Sequence, residues 1–340
     1  MTFGGIVSGH VARRVTLAAF GVCLSITAAS AETVTYTSFY DQTYELTAWD
    51  GSEVSVLTES PDRDRAAMDD LVGTLDSAWR VYADMTGRRP SPYPPTTRNG
   101  LATIAEIPNG ETCGAGCGYL GANGIEIAST YFQNLYDGVV SRDEYDQIPF
   151  YEMGRNYWFY GSQLGGVADF TVAFAIGNRF VSMEEVGIAG GPFGDLSYEE
   201  FRRMATSDVL NAYQADPTLD WRSIFIDGER VPDQRFGAAG DLAGAFYYEI
   251  YKDHGIADYG RFYRELSGLG PGPDADAAMT NFLVAAFLGT GKDYRKDFKA
   301  TDLDSPALPS PVPLPASALL LLAGLASLSA ARGASRGRTG

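Results

Sequence analysis

Phe150-Tyr151-Glu152-Met153-Gly154-Arg155-Asn156-Tyr157-Trp158 is the stretch on which the reading of this 340-residue chain turns. It lies inside a helical pattern expected over 143–163. A helix gathers its aromatic residues on one side and puts Glu152 and Arg155, three residues apart, on one face. A second helix is expected over 167–185, after Gly165-Gly166. Further helices follow at 198–213, 242–253, 259–266 and 275–288. Upstream the pattern changes. Residues 32–39 and 53–57 alternate like strands. Residues 62–86 repeat Met68, Leu71, Val72, Leu75, Trp79 and Tyr82 at helical spacing, and Gly87 closes the run. Residues 101–107 and 124–128 read as strands, with a glycine-rich turn between them. Strands first and helices after predict an α+β fold, with an N-terminal mixed or antiparallel sheet and a mostly helical second half.

Composition limits the partners. The formal charge is −17, and the two end segments hold five arginines and no acid. The part between them is therefore more acidic than the whole, which argues against nucleic acid or anionic lipid as ligands. At the N-terminus Arg13-Arg14 precede an apolar run, 15–26, and the small residues Ala29-Ser30-Ala31. This is the pattern of a signal peptide over 1–31, with leader peptidase cutting after Ala31. Beyond it only Cys113 and Cys117 remain, and in an exported protein they are expected to pair.

The C-terminus carries a second signal. An ectodomain over 32–299 leads into a Pro/Ser/Asp tether, 300–311. The uncharged stretch 312–331 is long enough to span a bilayer as a helix, and an arginine-rich tail, 332–340, follows it. Arginines placed last put that tail in the cytoplasm and the body outside. Val312-Pro313-Leu314-Pro315-Ala316, the Leu/Ala/Gly span and then Arg332 together resemble the VPLPA variant of the PEP-CTERM sorting signal. The resemblance implies recognition by exosortase, an inner-membrane-anchored precursor, and delivery to the cell surface or extracellular matrix of a Gram-negative bacterium.

The opening stretch also resembles, in part, the active-site helix of gluzincin metallopeptidases. There H-E-x-x-H sets two histidines at i and i+4 on one helical face to bind zinc, with the glutamate as general base. The resemblance implies a gluzincin-like fold, an acidic third ligand on the next helix, for which Asp169 is the candidate, and a peptide-binding edge strand, for which Gly124-Ile125-Glu126-Ile127-Ala128 is the candidate. The departure lies at the histidines. Tyr151 stands at the first position and Arg155 at the second, and a guanidinium offers no lone pair to a metal. The expected site is therefore vestigial: Tyr151, Glu152, Arg155 and Asp169, with no metal or other cofactor and Arg155 serving both acids in the metal's place. The implied function is a non-enzymatic surface module with an unidentified surface ligand. The alternative is a hydrolase, peptidase or glycosidase, using carboxylates such as Glu126, Glu144, Glu152 and Asp169. The lone histidine of the exported part, His254, reads as part of a helix C-terminus.

Overall fold

The computed structural model describes residues 32–303. The expected signal peptide, sorting motif and C-terminal span, with most of the tether, lie outside the described residues. Among those described, no helix is long and apolar enough to cross a membrane.

The first half builds a sheet. Its strands are β1 (Glu32–Thr37), β2 (Thr43–Asp50), β3 (Val54–Thr58), β4 (Thr97–Arg98), β5 (Leu101–Ile107), β6 (Gly116–Gly118) and β7 (Ile125–Ala128), with helix α1 (Arg65–Thr86) between β3 and β4. The order across the sheet is β1-β2-β3-β5-β7-β6, and β4 also pairs with β5. β3, β5 and β7 run parallel, whereas β1, β2 and β6 join antiparallel. The sheet is mixed, as expected. Alternation along the strands divides its two faces. Val54, Val56, Ile104, Ile125 and Ile127 face the helices in the main core. Tyr36, Leu46, Leu57, Ala105 and Ile107 form a smaller cluster on the other side.

Helix α1 shows how the sequence specifies its elements. Asp64 caps its start by accepting from the Ala67 amide, and Gly87 closes it in the left-handed region at φ 66°, where glycine carries no steric penalty. Met68, Leu71, Leu75 and Tyr82 are fully buried, and each contributes about 1.5–3 kcal/mol by leaving water. The buried Asp76 on the same helix clamps the β2–β3 turn. Its carboxylate accepts from the amides of Ser52, Glu53 and Val54 at 2.6–2.9 Å and from the Ser52 hydroxyl at 2.8 Å.

The second half is helical: α2 (Ser129–Arg142), α3 (Ile148–Asn156), α4 (Gly161–Leu164), α5 (Asp169–Val186), α6 (Tyr198–Arg203), α7 (Val209–Ala215), α8 (Trp221–Phe225), α9 (Ala239–Gly268) and α10 (Ala275–Thr290), with a small parallel pair, β8 (Glu144–Tyr145) and β9 (Ala189–Gly190). The helix expected over 143–163 is in fact β8, α3 and α4 in succession. Pro149 sits at the start of α3, where its missing N–H matters least. The expected break between 253 and 259 is real: Gly255 leaves the helical region inside α9 at φ 74°, ψ 172°. Helices α5 and α9 approach backbone to backbone, since a methyl on Gly177 would lie 2.6 Å from the Gly244 carbonyl.

Strand β2 and strand β6 were not anticipated. The candidate edge strand 124–128 is corrected: β7 is interior, paired with β5 on one side and β6 on the other. The edge is β6, whose Gly116-Cys117-Gly118 has no strand propensity of its own and forms by pairing.

Candidate functional site

Helix α3 lies against the edge strand, and glycines make the close approach possible. A methyl on Gly116 would sit 2.8 Å from Ile148 Cγ2, and one on Gly118 2.8 Å from the Glu152 carbonyl. The end of α3 is pinned to the β6–β7 loop by Asn156, whose amide nitrogen donates to the carbonyls of Tyr119 (3.0 Å) and Gly124 (3.1 Å). Cys113 and Cys117 are disulfide-bonded, with Cα atoms 5.4 Å apart, and close the turn leading into β6.

Glu152 therefore points at the sheet edge, 5 % exposed. Its Oε2 makes no hydrogen bond of good geometry. Burial pushes the carboxyl up to about 7; Arg155 and the backbone of Gly118 pull the other way without prevailing. Arg155 Nε lies 3.5 Å from Glu152 Oε2 and donates to the Gly118 carbonyl at 3.1 Å. Arg155 thus pairs with Glu152, as expected.

Asp169 does not join them. Among the described residues it forms no hydrogen bond or ion pair with Glu152 or Arg155. It occupies the first turn of α5, half-buried, where a carboxylate is favourable against the helix dipole. The packing register explains its distance. Trp158 meets Phe174, with ring centroids 5.6 Å apart. A methyl on Gly154 would touch Ala175 Cα at 2.7 Å. Tyr151 meets Arg179, whose guanidinium lies 5.7 Å from its ring centre. Asp169 is ten residues from Arg179, roughly 15 Å along the helix.

The residue that α5 does bring against α3, at Tyr151, is Arg179, which the sequence reading missed. It is 7 % exposed and donates to Gln147 Oε1 at 2.7 Å. Its guanidinium sits against the rings of Phe180 and Phe201 at 4.7 and 4.6 Å. Burial holds its pKa down to about 10, so it stays charged at neutral pH. One signal was available: Arg179 is the only charged residue between Phe170 and Met183, and a lone charge in a buried helix has a role. Burial, with the nearby charge of Glu152, raises the phenol of Tyr151, while Arg155 and Arg179 lower it.

A zinc ion does not fit this set. The two positions flanking Glu152 in the motif hold the Tyr151 phenol and the Arg155 guanidinium, which lies 3.5 Å from Glu152 Oε2 and supplies positive charge where a metal needs donors. Among the described residues no three His, Cys, Asp or Glu side chains gather as a ligand set. The other candidate carboxylates are elsewhere. Glu126 is on the opposite face of the sheet, accepting from the Tyr36 hydroxyl at 3.1 Å and the Phe39 amide at 2.7 Å. Glu144 is paired with Arg142 at 2.7 Å. His254 ends the first segment of α9, its ring near that of Tyr294.

No family model matches the chain, and no curated protein matches it. Among solved structures, a similar one is the crystal structure of a functionally unknown conserved protein from Bacillus anthracis str. Ames, at 9 % identity and a TM-score of 0.48. The alignment covers 74 % of this chain and 48 % of that one, so this chain spans about half the length of that protein.

Proposed function

We propose that the protein is exported, handed to an exosortase-type sorting system through Val312–Ala316, and displayed at the cell surface as a metallopeptidase-like module without peptidase chemistry. One observation carries the reading of the domain. Helix α3 presents Glu152 beside the edge strand β6, and the flanking positions that would hold a metal hold Tyr151 and Arg155. The Arg155 guanidinium supplies positive charge where a zinc ion would bring it and offers nothing to coordinate one. The carboxylate alternative loses its partner, because Asp169 stands away from Glu152. The module then serves by binding.

Two measurements test this. Protein purified after growth with added zinc is analysed for metal and assayed on denatured casein. The expected result is no stoichiometric zinc and no cleavage; zinc at one equivalent together with cleavage abolished by Glu152→Gln would overturn the reading. Separately, mass spectrometry of surface material is expected to lack residues beyond about Ala316. Recovery of the tail through Gly340 would leave a plain membrane anchor.

A further inference from the structure

A trough runs along helix α2. It holds two cavities of about 460 and 770 Å³, and Asn134 lines both. The smaller lies beyond the carboxyl ends of the parallel strands β3, β5 and β7, among Glu59, Glu106, Asn109 and Thr130. Open sheets with parallel strands place ligands outside those ends. The larger continues past Tyr131 and Asn134 to Gln147 and Phe193.

Both arginines in this trough, Arg63 and Arg142, are already paired with acids. Arg63 and Glu106, with side chains 7 % and 4 % exposed, pair at 2.9 Å. Gln133 accepts from Arg63 at 2.6 Å and donates to Asp137 at 2.7 Å. Glu144 pairs with Arg142, and Asp146 accepts from the Ile148 amide at 2.8 Å. What is left to a ligand is a set of neutral amides and a phenol beside the carboxylates of Glu59, Asp137 and Asp146, which can accept from hydroxyls. Asn134 is exposed. Gln147 is 7 % exposed, and with its carbonyl oxygen held by Arg179 at 2.7 Å its amide nitrogen remains free to donate into the larger cavity. Tyr131 exposes 42 % of its surface there.

We infer that this trough is a binding site for a neutral, polyhydroxylated chain, an oligosaccharide. A sugar ring offers an apolar C–H face to an aromatic side chain such as Tyr131, which is itself apolar in body and polar at the tip. Its hydroxyls donate and accept at once and so match the amides of Asn134 and Gln147. Other occupants fit less well. A polyanion meets Asp137, Glu144 and Asp146 in a chain of net charge −17. An extended peptide gains most of its affinity from an open strand edge, whereas α2 has its backbone groups bonded within the helix. A cationic chain would meet Glu59, Asp137 and Asp146 but leaves Tyr131 and the amides of Asn134 and Gln147 without a match, and it is the competing occupant that the test separates. The larger cavity borders the α3–β6 site at Ala115 and Ile148, but Tyr131 and Asn134 lie on α2, so the assignment does not depend on how that site is read.

The test uses the full-length chain in mild detergent, applied to a glycan array of neutral and acidic oligosaccharides, with polylysine as the cationic control. The best neutral oligosaccharide is then titrated calorimetrically against the wild type, Tyr131→Ala and Asn134→Ala. Both substituted positions are exposed, so thermal melting is expected to be unchanged. Each substitution should weaken binding by about tenfold or more, and raising salt to roughly 1 M should leave the affinity of a neutral ligand unmoved. Absence of any neutral glycan binding, binding indifferent to both substitutions, or preference for polylysine that high salt abolishes would each overturn the assignment.

Discussion

Replacing Glu152 by glutamine removes a buried charge while keeping the side chain's shape, and its effect should depend on pH. The folded protein pushes this carboxyl from 4.5 to about 7. At about 1.4 kcal/mol for each tenfold change in proton affinity, that corresponds to about 3 kcal/mol. Below the unfolded value the group is protonated in both states and contributes no difference. Between 4.5 and 7 the unfolded chain releases the proton while the folded chain keeps it. The wild type therefore loses stability as pH rises through this window. Above 7 both states are ionised and the full penalty stands. The glutamine variant has no such window. The stability of Glu152→Gln relative to wild type should then rise by about 3 kcal/mol from about pH 4 to about pH 8, whatever constant offset the substitution brings. Urea unfolding followed by tryptophan fluorescence at several pH values measures it. A difference that stays flat across this range would show that Glu152 is not a desolvated acid and would refute the electrostatic account of the site.

Four further outcomes follow from the same structure. Arg155→Ala removes a cation whose side chain is 30 % exposed, so its cost should be about 1 kcal/mol, with the stability loss of the wild type extending to higher pH because Glu152 then titrates later; a loss above about 3 kcal/mol would mean that Arg155 serves a second buried acid. Asp76→Ala strips the acceptor from three turn amides and should cost about 3–5 kcal/mol in urea unfolding, with Asp76→Asn recovering part of it. Gly154→Ala forces a methyl to 2.7 Å from Ala175 Cα and should lower stability by about 1–3 kcal/mol, read as a shift in urea midpoint. Reducing Cys113–Cys117 opens only a small loop and should lower stability by about 2 kcal/mol, with thiol alkylation detected only after reductant.

Much of this protein was legible in its sequence because the information is local. Helix α1 announces itself through Leu71, Leu75 and Tyr82 at helical spacing and through Asp64 and Gly87 at its ends. Strands β5 and β7 are short apolar runs between turns. A chain with two cysteines four residues apart, separated by glycines, can bond them with little help from the rest of the fold, and it does. The pairing of Glu152 with Arg155 is likewise a property of one helix, since residues three apart share a face. The tertiary structure alone decided which residues meet across elements. Strand β6 exists because β7 supplies its hydrogen bonds, and α3 can lie on it because Gly116 and Gly118 leave room for Ile148 and Glu152. The companion of Tyr151 is Arg179, with Asp169 left at the helix start, because α3 and α5 settle at the register where Gly154 meets Ala175. That register follows from the fit of two surfaces, and a displacement of two or three turns along either helix leaves every local pattern in the sequence unchanged.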